Sequence, residues 1–239
     1  MTTKKLLAAS VHVYTSIGAV LAFVAALAIL RGDVALLLVM FWLAVFVDST
    51  DGVLARRFDV ANVLPGFNGR RLDDIIDYIT YAFLPAVALV RFEVLPEAWQ
   101  WVAALLPLAS AYGFSQELAK TEESFVGFPS YWNVVFLYLY VLNLPTAWVI
   151  AILVGLVVLV FVPIRYLYPS HTRWMQGVTI AATCVYGVVV SAICLYPDAP
   201  WAGSVAAISL IYPAYYAGAS LWHHRQAVRH ERATLNTIL

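Results

Sequence analysis

The sequence predicts an all-α polytopic membrane bundle of about eight transmembrane helices, and three observations carry that prediction. Hydrophobic residues make up 63% of the 239-residue chain and charged residues only 12%, an excess that no single soluble core of this size needs. The apolar residues gather into runs close to the ~20 residues that cross a bilayer. The basic residues, finally, fall almost entirely on alternate connections between those runs.

Taken in order, the runs lie at about 8–30, 34–54, 74–91, 98–115, 131–145, 148–166, 174–195 and 202–222, the fifth being the shortest. The first follows Met-Thr-Thr-Lys-Lys as a secretory signal would, but its apolar stretch exceeds a signal core, so it reads as a retained helix. If the spans alternate, one side receives twelve of the Lys and Arg residues and the other only Arg31 and Arg91. The positive-inside rule then puts both termini in the cytoplasm. Pro85, Pro107, Pro163 and Pro213 lie in apolar runs and are expected to kink or end helices. Cys184 and Cys194 share one run and read as packing residues, with no disulfide or metal role. No linker or repeat divides the chain. Residues 1–222 form one membrane domain, and 223–239, with His223, His224 and His230 among arginines, form a polar cytoplasmic tail.

One stretch breaks the oily pattern. Residues 48–77 hold six aspartates and four arginines, where isolated charges would be costly. Asp48, Asp51, Gly52 and Ala55 have the i, i+3, i+4, i+7 spacing of one face of the second helix. Gly69, Asp73 and Asp77 repeat every four residues on the third. Four carboxylates are therefore expected to converge between neighbouring helices, while Asp74 stands about 100° away and Asp59 lies in the loop. Solvation or pairing with the nearby arginines is the ordinary fate of one such acid. Four together repel unless a cation or shared proton compensates, and an all-oxygen set suits Mg²⁺, Mn²⁺ or Ca²⁺. Gly52 leaves open backbone beside the acids, and Arg56 offers a planar fork for phosphate oxygens. Acids, glycine and arginine together point to a bound phosphate ester.

The pattern Asp48-x-x-Asp51-Gly52-x-x-Ala55-Arg56 … Gly69-x-x-x-Asp73-x-x-x-Asp77 resembles the signature of the CDP-alcohol phosphotransferases. Twelve residues separate Arg56 from Gly69, a longer spacing than most of that family has and similar to its bacterial phosphatidylcholine synthase branch. Lys120-Thr121 and the segment Phe125-Val126-Gly127-Phe128-Pro129-Ser130-Tyr131-Trp132-Asn133 also look like that branch. The resemblance implies a CDP-alcohol phosphotransferase-like fold, an integral protein of a bacterial inner membrane, and a homodimer. It implies an enzyme that transfers the phosphatidyl group of CDP-diacylglycerol to choline and releases CMP, with Mn²⁺ or Mg²⁺ as cofactor, among membrane lipids and with no nucleic acid. In that scheme Asp48, Asp51, Asp73 and Asp77 hold metal, and Asp77 takes the proton of the choline hydroxyl. Gly52, Ala55 and Gly69 leave room for the nucleotide, Arg56 clamps its phosphates, and Thr15 on the first helix adds a hydrogen bond to the CDP-lipid site.

Choline asks for a different surface, because a quaternary ammonium donates no N–H hydrogen bond and is recognised by aromatic faces. Tyr131 and Trp132 rank first, with Tyr78 and Tyr81 beside the catalytic helix and Glu117 as a negative charge, although Trp and Tyr also collect at membrane interfaces as belts. Two alternatives stay open: the same chemistry with serine, inositol or glycerol phosphate as acceptor, and a cation channel or transporter, which would prefer acids near the midplane.

Overall fold

The computed structural model describes residues 3–116, 124–167 and 176–238, and these are overwhelmingly helical. Helices α1 (Thr3–Arg31) and α2 (Val34–Arg57) reverse at Gly32–Asp33, where Gly32 takes φ 72° and Asp33 caps α2 by accepting the Leu36 N–H at 2.9 Å. The short helix α3 (Val60–Val63) occupies the Arg56–Gly69 interval, with Val60 packed against Ala8 and Val11 near the start of α1.

From Gly69 to Arg91 the chain is one continuous rod of changing pitch: α4 (Gly69–Asp77), a π-helical stretch (Tyr78–Phe83) and α5 (Leu84–Arg91). Pro85 accounts for the middle piece. It lacks an N–H, and its ring crowds the carbonyl four residues earlier, that of Tyr81, so the backbone widens locally. The other prolines mark irregularities in the same way. Pro107 stands where a 3₁₀ stretch (Glu97–Ala104) passes into α6 (Leu105–Ser115), Pro163 follows the end of the helix Thr146–Phe161, and Pro213 lies in the first turn of the helix Ile211–Ile238, after the break at Leu210.

The remaining rods are α7 (Trp132–Leu142), α8 (Thr146–Phe161), α9 (Gln176–Leu195), α10 (Ala202–Ser209) and α11 (Ile211–Ile238). Each expected apolar run thus carries one rod or two consecutive ones. Among the described residues, three stretches are long and apolar enough to cross a membrane: α1, α2 and Gly177–Leu195 of α9. α7 and α8 are apolar but shorter, at 11 and 16 residues. The chain is a helical membrane protein.

One feature departs from the expectation. A ribbon of β1 (Ser124–Val126) and β2 (Arg165–Leu167), antiparallel with Phe125 opposite Tyr166, interrupts the all-α pattern. Three-residue strands carry too little period-2 pattern to be read from sequence. The polar tail is helical as far as Ile238, as its Ala, Arg, Glu and Leu content with neither Gly nor Pro allows.

The segment after β1 is pinned to α8. The Phe128 N–H donates to the Leu159 carbonyl at 3.0 Å, and Gly127 (φ 83°) passes so near the Val160 carbonyl that no Cβ would fit. Behind it, Ala22, Ala25, Leu37, Phe41, Leu89, Phe136, Leu153 and Ile193 form a continuous core. The Trp42 indole N–H donates to Ser191 at 2.6 Å and ties α2 to α9.

Candidate active site

α1, α2 and α4 meet around the acids. Two polar links in the same register join α1 to α2: the Tyr14 hydroxyl lies 2.7 Å from Thr50 Oγ1, and Thr15 Oγ1 donates to Asp51 Oδ2 at 2.8 Å. Thr15 also touches its own backbone at Val11, more weakly, at 3.3 Å. A hydroxyl that the sequence assigned to the lipid site is therefore first of all the partner of a buried carboxylate.

Asp48 of α2 and Asp73 and Asp77 of α4 each offer one oxygen, and these three atoms lie within 4.8 Å of one another. The expected convergence is three acids rather than four. Asp51, one turn along α2 and 7% exposed, is outside the trio, its Oδ2 taken by Thr15. Asp77 is 6% exposed, so its charge is largely removed from water. Like charges this close, one of them buried, require compensation, and the all-oxygen donor set fits a hard divalent ion such as Mn²⁺ or Mg²⁺. Asp74 turns to the other face, where its Oδ2 lies 4.0 Å from the Arg70 Nε, and Asp59 accepts from Asn62 in the loop at 2.7 Å.

Gly52 faces open space save for the Arg56 guanidinium, whose Nη1 lies 3.5 Å from where a Cβ would stand. Arg56 itself is exposed and folds back along α2. Ala55 packs against the small Ala8, Val11 and Val60 cluster. Gly69 serves a different neighbour from the one expected: a Cβ there would come within 2.8 Å of His12 Cε1, so the glycine makes room for an imidazole. His12, one turn before Thr15, packs against Phe67 with ring centroids 4.3 Å apart and the planes tilted by 42°, and its Nε2 is buried without a hydrogen-bond partner. It went unnoticed in the sequence, where its only signal is a polar residue on the Thr15 face of an apolar helix.

The choline candidates separate. Tyr131, half-buried just before α7, has its ring centroid 5.8 Å from that of Tyr81, and the Tyr81 hydroxyl donates to Asp48 Oδ2 at 2.9 Å. Trp132 is corrected: at 1% exposure, with its indole N–H on Ser110 at 2.8 Å and Phe128 against it, it offers no open face to a cation. Tyr78 takes part in a different surface. It donates to the Pro107 carbonyl at 3.3 Å and lines a groove of about 820 Å³ with Arg70, Arg71 and Asp74, which none of the three clustered acids borders. Glu117 lies outside the described residues.

Fold and site together define a membrane-embedded helical enzyme class that gathers carboxylates where helices meet. No family model matches the chain. It is similar over most of its length to curated proteins: 34% identical to the phosphatidylcholine synthase of Pseudomonas aeruginosa over 89% of this chain and 90% of that one, 34% identical to that of Rhizobium johnstonii over 81% of each, and 33% identical to that of Legionella pneumophila over 86% and 84%. The chain belongs to the phosphatidylcholine synthase family.

Proposed function

We propose that the chain transfers the phosphatidyl group of CDP-diacylglycerol to the hydroxyl of choline and releases CMP. The observation that carries this reading is the meeting of Asp48, Asp73 and Asp77 between α2 and α4, with their oxygens within 4.8 Å. The family supplies the product, and the acids supply a place for phosphoryl chemistry.

Asp48, Asp73 and Asp77, with Asp51 beside them, would hold Mn²⁺ or Mg²⁺. The ion, when bound, would offset the charge of the pyrophosphate and of the departing CMP. Asp77, the most enclosed of the trio, takes the proton as the choline O–H bond breaks. The alcohol oxygen forms its new bond to the phosphorus that carries diacylglycerol. The bond from that phosphorus to the bridging oxygen breaks, and CMP leaves with the electron pair. A carboxylate is a weak base for an alcohol, so proton transfer is late and positioning carries much of the acceleration. Arg56, exposed and without an ion pair among the described residues, meets the nucleotide phosphates across the open face of Gly52. Tyr131 turns an aromatic face to the trimethylammonium group.

The same reading has about eight membrane passes, one catalytic membrane domain with both termini and the site on the cytoplasmic side of a bacterial inner membrane, and a homodimer. What supports the orientation is the twelve-to-two distribution of basic residues. The test is to incubate purified protein with CDP-diacylglycerol, Mn²⁺ or Mg²⁺, and a panel of labelled alcohols. Labelled phosphatidylcholine is the expected product, whereas phosphatidylserine or phosphatidylinositol as the main product overturns the acceptor.

A further inference from the structure

Tyr81 is almost wholly enclosed, at 3% exposure, and it touches both halves of the site. Its hydroxyl donates to Asp48 Oδ2 at 2.9 Å across the α2 boundary, and its ring packs on Tyr131 with centroids 5.8 Å apart. The backbone is built to put it there. In an α-helix each step of four residues turns the side chain by about 40°, so the series Asp73, Asp77, Tyr81 would drift away from α2. The wider π-helical stretch Tyr78–Phe83 begins directly after Asp77 and takes back part of that drift. Pro85, four residues past Tyr81, is what denies that turn its regular hydrogen bond.

We propose that Tyr81 is a positioning residue of the metal-binding centre. Its phenol holds one oxygen of Asp48 and so fixes the carboxylate plane, while its ring ties that carboxylate to the segment carrying Tyr131. Carboxylates that hold metals are themselves held by hydrogen bonds, and loss of such a partner typically costs 10–100-fold in metal affinity. The inference rests on the metal reading above, and the experiment separates the two.

The experiment measures Mn²⁺ binding to the purified full chain in lipid nanodiscs by the loss of the free-ion electron paramagnetic resonance signal. Tyr81→Phe, which removes one hydroxyl and keeps the ring, is expected to bind Mn²⁺ about 10-fold more weakly, to lose turnover at limiting Mn²⁺, and to recover it at high Mn²⁺ with the choline KM within twofold of the parent. In an Asp48→Asn background the same change is expected to add nothing. Should Tyr81→Phe fail to fold, the wild-type chain still answers: Mn²⁺ is expected to produce a tyrosine ultraviolet difference band, and its absence overturns the proposal. Equal Mn²⁺ affinity in wild type and Tyr81→Phe removes the role of Tyr81 alone. Wild-type protein that binds no Mn²⁺ removes the metal reading and this one together.

Discussion

Replacing Asp77 by Asn and, separately, Asp74 by Asn sets two neighbouring carboxylates against each other, one in the trio and one outside it. Asp74 lies 4.0 Å from Arg70 on an exposed face, where such a pair is worth about 0–1 kcal/mol. Its loss should alter turnover less than about threefold. Asp77 is placed to take the acceptor proton, a task worth typically 10²–10⁴-fold, and at 1.36 kcal/mol per tenfold that is about 3–5 kcal/mol of barrier. The two variants should also diverge in stability. Charges within 4.8 Å of one another repel by at least about 3 kcal/mol per pair at an effective dielectric constant of 20. Removing one charge from the trio should therefore raise the melting midpoint in EDTA while abolishing most of the further rise that Mn²⁺ gives the parent. The assay is labelled-choline incorporation alongside thermal unfolding, each with and without Mn²⁺. Equal activity losses in the two variants, or a lower midpoint for Asp77→Asn than for wild type in EDTA, would refute the reasoning that α4 points one acid inward and the next one out.

Treatment with EDTA should abolish transfer, and Mn²⁺ or Mg²⁺ should restore it with a stabilisation of about 2.7 kcal/mol at one hundred times the dissociation constant, read by calorimetry. Thr15→Val should leave the enclosed Asp51 short of a partner at a cost of about 1–3 kcal/mol, whereas Thr15→Ser should keep most of it, as measured by unfolding midpoints. Tyr131→Ala should raise the choline KM by about 2–30-fold, the range set by one cation–π contact of ~0.5–2 kcal/mol. Trp132→Phe should leave that KM unchanged and lower stability by about 1 kcal/mol, because what it loses is the hydrogen bond to Ser110.

What the sequence conveys well is periodicity. The helical character of the apolar runs, and the i+4 spacing that sets Asp73 and Asp77 together on α4 beside Asp48, survive into the structure because a helix turns by a fixed angle per residue. What it conveys poorly is which neighbour claims an atom. Thr15 on an isolated helix bonds its own backbone, and only the close approach of α2 makes Asp51 the better acceptor. Trp132 and Tyr131 are adjacent letters with equal aromatic credentials, yet one anchors α7 in the core beside Ser110 while the other lies against Tyr81. Gly69 belongs to a phosphate-site pattern in the sequence, and in the fold its missing side chain is the space that His12 fills.

Pro85 shows why the division falls there. Its effect on the chain is legible in principle, since a missing N–H and a crowded Tyr81 carbonyl follow from covalent geometry alone. Whether the rod answers by kinking, ending or widening depends on what surrounds it. Here Ile76 before the irregular turn, Ala82 within it, and Leu84 and Leu89 after it are all buried, so ending the helix would strand apolar side chains and kinking it would tear them from their neighbours. Widening keeps both flanks packed and turns Tyr81 toward Asp48. The local defect and the polar centre are thus one feature: a hydrophobic core that holds the rod straight converts a proline, which carries no chemistry, into the orientation of a carboxylate, which does.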